Sequence, residues 1–417
     1  MNLYGFFGEI TALDTTTFEI ILSNPIPNME GHLLNHYILP RHLWTRFENS
    51  PENFDNFEMV GSGPFKLNIY QQDSIVILTA AESNPLYAPK IQNVVFFVYP
   101  DETSVTNALQ IGEIDLAYNL SLSALESLET DQSTQVVRGI PLNPTLEEII
   151  INQINPANCP PAEIGGKCSG HPALRDQTFR QALAHATDKA KIIASVLFDS
   201  GTIGDSILPP GLGNYYNPNL QDYSFDINQA NQLLDQAGYL DTDGDGIREM
   251  PEEASDNRAL RFRFYYRGPS KTHEQISELL RVMWQQIGVA LIIQEQDSLT
   301  LTDLCCPAYD YDLILWSWDV DPDPGFFLDT LASSKISTGY NETGHSNPNY
   351  DILNAIQHSE TDEEKRLETI WALQEIAHND VAQIVIYYPQ TVQAYRKDRL
   401  PGGLSMPPTS DLQISVQ

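Results

Sequence analysis

The spacing of apolar residues along the chain predicts alternating strands and helices. Residues 9–24 predict a β-hairpin, because strand-forming residues on both arms flank a turn at Asp14-Thr15. Apolar residues from Phe179 to Leu197 recur at helical spacing and predict one amphipathic helix over residues 176–198. Further strands are predicted where β-branched and aromatic residues cluster, at 94–98, 260–266, 289–294 and 384–388.

Capping residues mark the ends of several predicted helices. Asp101 is placed to cap a helix that Gly112 ends. A buried-strand candidate, Val94–Val98, precedes this helix and Ile114–Ala117 follows it as a second strand, so the three elements predict a βαβ unit and an α/β lobe. Capping boxes of the same kind are Asp226 with Gln229 and Thr361 with Glu364.

One stretch departs from both periods. The apolar run Leu313–Leu315 suits a buried strand, but it opens at Trp316 into two indoles, three carboxylates and two prolines before Phe326-Phe327-Leu328. Carboxylates pair with ammonium groups, and indole faces attract cations and offer apolar area. The stretch therefore predicts a ligand-facing loop at a strand end, with a solvated acidic turn on a core strand as the alternative.

Composition narrows the classes of protein that the chain can belong to. At 417 residues it is long enough for two or three lobes, and 41% hydrophobic and 10% aromatic residues exclude wholesale disorder. No run reaches the roughly 20 apolar residues that a membrane span needs. The formal net charge of −33, with only 23 Lys plus Arg, argues against nucleic acid or an anionic membrane surface as a partner. A cationic ligand, or a saline or acidic habitat, fits this charge.

The four cysteines fall into two pairs. Cys159 and Cys168 flank a short loop rich in Pro and Gly, which predicts a local disulfide and an oxidising compartment. Zinc is a weaker interpretation, because the nearest histidine, His171, completes no recognisable ligand set. The adjacent Cys305 and Cys306 fit a vicinal disulfide or two buried thiols equally well.

A second candidate site follows the predicted helix that ends at Gly238. Residues 241–252 match a calcium loop, with carboxylates at positions one, three and five and a glycine at position six, so we expect a structural Ca²⁺. Pro251 makes the exit unlike that of an EF-hand, so either Glu249 or Glu252 closes the predicted site. Its predicted ligands are Asp241, Asp243, Asp245, the carbonyl of Ile247, and Glu249 or Glu252. An acidic turn without an ion is the alternative.

Catalytic signatures are weak. The sequence contains no G-x-S-x-G elbow and no H-E-x-x-H, and its histidines show no cooperative spacing, so we expect no enzyme. A dense group of acids gives the competing hypothesis, a calcium-stabilised secreted hydrolase. Those acids are Asp310, Asp312, Asp319, Asp321 and Asp323.

Several motifs, in order, resemble those of one family, the extracytoplasmic solute-binding proteins of ABC importers, family 5, which take up dipeptides, oligopeptides and nickel. Each motif is weak alone, and their common order carries the resemblance over nearly the whole chain. The motifs are Ile38–Trp44, Val60–Phe65, Ala108–Asp115, Leu174–Leu183, Ala184–Lys189, Leu208–Pro210, Tyr223–Asp226 and Leu233–Tyr239.

This resemblance implies a two-lobed α/β fold of the periplasmic-binding-protein type II class, which closes on its ligand by a hinge motion and performs no chemistry. By analogy with peptide-binding members, a carboxylate of the Trp/Asp/Pro stretch holds the α-amino group of a peptide. Asp319 matches that position best, with Asp321 as the fallback, and Trp316 and Trp318 would cover the peptide's side chains. The implied partner is a membrane permease of an ABC importer, and the chain is expected to act as a monomer.

The resemblance also implies a domain plan. Residues 1–60 would be the remnant of a small extra domain, 61–140 part of the first lobe, 141–391 the second lobe, and 392–417 a return to the first lobe. Family members carry a signal peptide and further residues before the point that matches Met1, so we expect part of the first lobe to be missing. The implied location is periplasmic or extracellular and membrane-associated, as for a lipoprotein.

Overall fold

The computed structural model describes residues 7–402, except 28, 30–32, 34–36, 55, 57–58, 82–88, 119, 122–123, 140, 142–143, 253 and 255–257. Contacts between Cα atoms divide the chain into two compact units. The larger contains the described residues within Met1–Gly31 and Gly139–Thr391, and the smaller contains those within His32–Arg138 and Val392–Met406. The predicted segment 1–60 is thus shared between the units, and its assignment to an extra domain stays a prediction.

The two units contain the following strands and helices, which alternate through most of the larger unit. The strands are β1 Phe7–Ala12, β2 Phe18–Leu22, β3 Phe65–Gln71, β4 Ile75–Ala80, β5 Asn93–Phe97, β6 Leu116–Ala117, β7 Thr134–Gly139, β8 Thr145–Ile151, β9 Gly201–Ile203, β10 Arg261–Arg267, β11 Ala290–Gln296, β12 Leu313–Asp319, β13 Gln383–Pro389 and β14 Thr391–Arg396. The helices are α1 Arg41–Trp44, α2 Glu102–Ile111, α3 Leu125–Thr130, α4 Gln177–His185, α5 Lys189–Val196, α6 Ile227–Gln236, α7 Lys271–Gln285, α8 Ser298–Cys305, α9 Gly325–Asp329, α10 Pro348–Gln357 and α11 Glu363–Asn379. No helix among the described residues is long and apolar enough to cross a membrane.

A six-stranded sheet organises the larger unit, in the order β11-β10-β12-β8-β13-β9. Strand β10 runs parallel to β11 and β12, while β8 runs antiparallel to both of its neighbours. The carboxyl ends of β10, β11, β12 and β13 therefore lie at one edge, the usual location of ligand sites in open α/β sheets. The chain enters the larger unit at Gly139 and leaves it at Thr391, and these two residues are in contact, because Thr391 Oγ1 donates to the carbonyl of Gly139 at 3.2 Å.

Apolar side chains cover both faces of this sheet. On one face, Phe179 of α4 lies 5.6 Å from Phe262 of β10 between ring centroids, and α7 packs on β10 and β11. On the other face, one buried cluster contains Ile150 and Ile314, and a second contains Leu146 together with Leu373 of α11. Helices on both faces of a mixed sheet, in which β10, β11 and β12 are parallel, agree with the predicted α/β class.

The smaller unit contains two three-stranded sheets, β3-β4-β5 and β6-β14-β7. The predicted βαβ unit is wrong, because β5 and β6 lie in different sheets. Strand β5 is also not buried as predicted: Phe96 and Phe97 are 54% and 47% exposed. An apolar run alone does not distinguish a buried strand from one with an uncovered face.

The predicted helix 176–198 is two helices. Helix α4 ends at His185, and the Asp188 carboxylate accepts a hydrogen bond from the backbone N–H of Lys191 at 2.9 Å, so it caps α5. The apolar period continues across this break, which explains the prediction of one helix. The caps at Asp101 and Asp226 are as predicted, accepting from Ser104 and Gln229. The last helix is capped by Asp362 instead of Thr361.

Candidate functional site

The predicted ligand loop begins later than expected. Trp316–Asp319 continue β12 and pair with Glu148–Thr145 of β8, so the irregular part is confined to residues 320–324 before α9. The antiparallel partner satisfies the backbone hydrogen bonds of these residues and keeps them extended. Strand β8 was not predicted from the sequence, and the strand end was therefore predicted at Leu315.

Asp319 lies at the carboxyl end of β12 and is exposed. Its Oδ1 accepts a hydrogen bond of 2.6 Å from Thr145 Oγ1, the residue opposite it in the β8 register. That bond uses one lone pair and leaves the carboxylate accessible at the edge where the parallel strands end. Asp321, two residues further on, is also exposed. The structure thus offers two accessible carboxylates at the predicted place.

The two tryptophans lie on the opposite face of β12 from Asp319, because side chains alternate along a strand. Trp316 is partly buried against the cluster that contains Tyr309 and Ile314. Trp318 donates from Nε1 to Glu342 Oε2 at 2.9 Å and contacts the Phe327 ring edge-on. Their packing explains their presence without a ligand, and their role in covering one stays a prediction.

Most of the acid group is held in ion pairs with basic residues. Asp323 is buried, and its two carboxylate oxygens accept hydrogen bonds from the guanidinium nitrogens of Arg366, at 2.8 and 2.9 Å. Asp310 and Asp312 both accept from Arg263 at 3.0 Å. Carboxylates neutralised in this way serve as structural anchors, and the five acids do not converge on one catalytic position.

Two further residues at this edge of the sheet, Glu147 and His273, were not predicted from the sequence as site residues. Glu147 pairs with Ser317, on the face of the sheet that carries Asp319, and its Oε2 lies 3.3 Å from Nε2 of His273 on α7. Burial raises the pKa of Glu147, and the contact with His273 offsets this only in part. Burial lowers the pKa of His273, but Glu147 raises it more, so that it lies above the ordinary value. The adjacent Glu147 and Glu148, inside a run of residues typical of a strand, are the sequence feature that could have indicated this site.

The predicted disulfide pair is joined in the structure. Cys159 and Cys168 are bonded, with their Cα atoms 6.0 Å apart. The backbone N–H of Cys168 donates to the carbonyl of Ala308, which attaches the loop to the segment before β12. Cys305 and Cys306 are free thiols.

The predicted calcium loop gathers four carboxylates. Ligand oxygens of Asp241, Asp243, Asp245 and Glu249 lie within 4.8 Å of one another. Asp241 accepts from the backbone N–H groups of Gly244 and Gly246, and both glycines have positive φ, at 80° and 87°. Those left-handed residues bend the loop around its carboxylates.

Glu249, not Glu252, completes this group. In an EF-hand a helix returns position twelve to the ion. Here the chain leaves the loop extended, with Glu249 bridged to Ala259, and a turn follows in which the backbone N–H of Ala254 donates to the carbonyl of Pro251 at 2.8 Å. Of the two alternatives predicted to close the site, the carboxylate positions favour Glu249 over Glu252, and calcium binding itself stays a prediction. Arg261 also binds Asp245, at 2.6 Å, on the outer side of the loop.

The sequence is similar to solute-binding proteins over most of its length. It is 26% identical over 365 residues to the oligopeptide-binding protein AppA of Bacillus subtilis, covering 86% of this chain and 62% of that protein. It is 23% identical over 406 residues to the dipeptide-binding protein of Escherichia coli, covering 95% and 69%. Identity to the heme-binding protein A of Haemophilus influenzae is 26%, covering 81% and 55%. The chain thus spans 55–69% of the length of these relatives.

Solved structures of the same kind share the fold. The oligopeptide-binding protein AppA of B. subtilis, in complex with a nonapeptide, superposes with a TM-score of 0.69 at 23% identity, covering 98% of this chain and 77% of that one. NikZ of Campylobacter jejuni, in complex with Ni(L-His), gives a TM-score of 0.70 at 21% identity, covering 97% and 75%. The predicted α/β fold of the periplasmic-binding-protein type is confirmed.

The family assignment rests on one match that spans most of the chain. The family model described as bacterial extracellular solute-binding proteins, family 5, middle region, matches residues 3–339. This range includes the calcium loop, β8 and β12 with Asp319. The resemblance drawn from the ordered motifs is thereby confirmed: the chain belongs to the family 5 bacterial extracellular solute-binding proteins.

Proposed function

We propose that the chain is the substrate-binding component of an ABC importer, which captures peptides and delivers them to a membrane permease without chemistry of its own. Relatives named for oligopeptide and dipeptide binding support the solute class. A location outside the cytoplasm, in the periplasm or at the cell surface, agrees with the family and with the Cys159–Cys168 disulfide. The chain works as a monomer in this proposal.

The exposed Asp319 carboxylate carries the proposal for peptides. A peptide's α-amino group is a compact cation, and it would form a charge-assisted hydrogen bond with the Asp319 oxygen that Thr145 does not occupy. Glu147, on the same face, adds negative potential. The net charge of −33 favours the approach of cationic peptides over anionic ones.

Calorimetry with a peptide library tests this proposal. We expect Asp319→Asn to weaken peptide binding about 30-fold or more, because loss of one partner of an enclosed charge pair costs about 2–5 kcal/mol. Asp321→Asn is the matched control, since it removes an equally exposed charge two residues away. If Asp321→Asn caused the loss and Asp319→Asn did not, the anchor would be Asp321. Unchanged affinity in both variants would reject an aspartate anchor.

The same titration separates the solutes that the family's names suggest. Heme and a Ni²⁺–histidine complex are titrated in parallel with the peptides, because relatives are named for these ligands. Saturable binding of heme or nickel without peptide binding would replace the peptide proposal. Mass spectrometry of the recovered peptides checks for cleavage, and turnover would favour the competing hydrolase.

We also propose that the loop Asp241–Glu249 binds a structural Ca²⁺. Four carboxylate oxygens within 4.8 Å of one another support a hard cation, since oxygen ligands are those that Ca²⁺ prefers. The carbonyl of Ile247 supplies a further oxygen in this proposal. The ion would offset repulsion among acids that Arg261 partly neutralises through Asp245.

Thermal unfolding with and without EDTA tests the calcium proposal. At a Ca²⁺ concentration of about 100 times Kd we expect a gain of about 2.7 kcal/mol, which is several degrees in Tm. Asp243→Asn should abolish this shift. Glu252→Gln should keep it, because Glu252 lies outside the carboxylate group. A Tm that ignores EDTA, or that depends on Glu252, would contradict the proposed site.

A further inference from the structure

Two adjacent cysteines meet a glutamate beside the face of the large sheet that carries Trp316 and Trp318. Cys305 is the last residue of α8, Cys306 follows it, and Glu342 reaches them from the segment before α10. One ligand atom of each, two sulfurs and a carboxylate oxygen, lies within 4.8 Å of the others. These residues belong neither to the acidic loop Asp241–Glu249 nor to the edge of the sheet where Asp319 lies.

The position of Glu342 is fixed by its neighbours. Trp318 Nε1 donates to Oε2 at 2.9 Å. Tyr311 donates its hydroxyl to the backbone carbonyl of Glu342, and Tyr309 donates to the carbonyl of Asn341. Both tyrosines are fully buried. The carboxylate is therefore held towards the thiols without help from an ion, and such preorganisation is typical of a metal site.

The surroundings disfavour uncompensated negative charge. Cys305 is 1% exposed and packs among Leu301, Tyr309 and Ile314. Glu148, buried on the same sheet face, adds a further carboxyl close enough for its pKa to respond to Glu342. A cation would stabilise the deprotonated ligands of such an enclosed group.

We propose that Cys305, Cys306 and Glu342 bind one thiophilic divalent cation of the Zn²⁺ or Cd²⁺ class. Thiolate sulfur selects these ions over Ca²⁺ and Mg²⁺, and one carboxylate oxygen with two sulfurs leaves a fourth tetrahedral position for water. Binding forms two metal–sulfur bonds and one metal–oxygen bond, and the protons of the thiols and of protonated Glu342 leave to solvent.

The geometry needs only a small adjustment. Metal–sulfur distances of about 2.3 Å place tetrahedral ligand atoms roughly 3.8 Å apart, so ligand atoms that lie within 4.8 Å of one another must close by no more than about 1 Å. Cys306 is only partly buried, which gives the ion a route of entry. Trp318 keeps its bond to Oε2 while the other oxygen of Glu342 binds the ion. The Trp318 indole therefore contacts the carboxylate that binds the ion, and its fluorescence should change when the ion binds.

Cd²⁺ titration of the whole chain tests the proposal. Two free thiols are first verified after mild reduction, and excess Ca²⁺ fills the acidic loop. We expect the ultraviolet charge-transfer band of Cd²⁺–thiolate bonds to saturate at one ion per chain, with a change in tryptophan fluorescence that Trp318→Phe removes. Proton release, measured by calorimetry in two buffers, should accompany binding.

Matched variants identify the ligands. Cys305→Ser/Cys306→Ser should abolish the band, whereas Cys159→Ser/Cys168→Ser should keep it. Glu342→Gln, which can still accept from Trp318, should weaken Cd²⁺ binding at least about tenfold, since even partners one step removed from a metal are worth 10–100-fold. A missing band, a band that survives the first double variant, or unchanged affinity in Glu342→Gln would each overturn the proposal.

Discussion

At the scale of single residues, the carboxylates of this chain occupy three environments. Asp319 is exposed and accepts from a hydroxyl, whereas Asp323 is buried and neutralised by Arg366. Glu147 and Glu342 are partly buried, and burial raises the pKa of each. The proposed ligand binding, structural anchoring and a raised pKa thus belong to different residues of the same chemical type, according to what surrounds them.

Glu342 should make stability depend on pH. Its pKa rises from about 4.5 in the unfolded chain to about 7 in the folded one, so its contribution is fully present below pH 4.5 and is lost as pH rises to about 7. We expect Glu342→Gln to remove this loss, worth at most about 3 kcal/mol. Urea unfolding of both proteins at pH 4.5 and pH 8, in EDTA, measures it.

The comparison between the two pH values is the control for this variant. Glu342→Gln should differ from the parent by only about 0.4 kcal/mol at pH 4.5, where the folded carboxyl is protonated and the unfolded one is about half protonated, and it should be more stable at pH 8. An equal difference at both pH values would show that packing, not ionisation, separates the proteins.

Residues whose partners are close in sequence were predicted more accurately than residues whose partners are distant in sequence. Asp101, Asp226 and the Cys159–Cys168 pair have partners within ten positions, and local spacing identifies such pairs. Glu147 meets His273 from more than 100 positions away. No spacing rule reaches that far, so Glu147 was missed until β8 was placed beside β12.

At the scale of elements, one ion pair joins helix α11 to the segment that follows β12. Arg366 of α11 binds both oxygens of Asp323, and it also donates to the carbonyl of Gln357. We expect Asp323→Asn to lower the free energy of unfolding by about 3–5 kcal/mol, because it leaves a buried guanidinium without its counter-charge. Urea unfolding of the parent and the variant measures the change.

Two further variants test whether the loss of stability comes from the unpaired charge of Arg366. Asp321→Asn, exposed on the same segment, should change stability by no more than about 0.5 kcal/mol. Replacing both partners, Asp323→Asn with Arg366→Gln, should recover part of the loss, since neither charge then lies unpaired. A double variant as unstable as the sum of the single ones would argue against direct coupling.

Periodicity identified elements whose partners it could not supply. The strand at 313–315 was predicted, but its extension to Asp319 depends on pairing with Thr145–Glu148. The helix 176–198 has a continuous apolar stripe, yet capping by Asp188 divides it. Strands β5 and β6 were predicted correctly as strands and wrongly as neighbours. Sheet pairing depends on contacts between distant residues, which one sequence does not list.

At the scale of the whole molecule, 56 acidic residues against 23 basic ones make self-repulsion a general cost of folding. Raising NaCl from about 0.01 M to about 0.2 M shortens the screening length from roughly 30 Å to below 10 Å. We expect a gain of about 1 kcal/mol, or about 2–4 °C in Tm, measured by thermal unfolding in EDTA.

Sucrose is the control for this salt effect, because it strengthens burial without screening charge. Stabilisation by NaCl should exceed any change that sucrose of equal osmolality produces. A Tm that stays constant or falls with NaCl would show that local ion pairs such as Asp323–Arg366 outweigh the general repulsion.

The contact between Thr391 and Gly139 has a practical consequence for protein engineering. A stretch of about 250 residues that starts and finishes at one point resembles an inserted domain, whose two ends require only a short gap in a host. The stretch contains β12 with Asp319 and Trp318. Short linkers would therefore suffice to join both of its ends to a surface loop of a host protein.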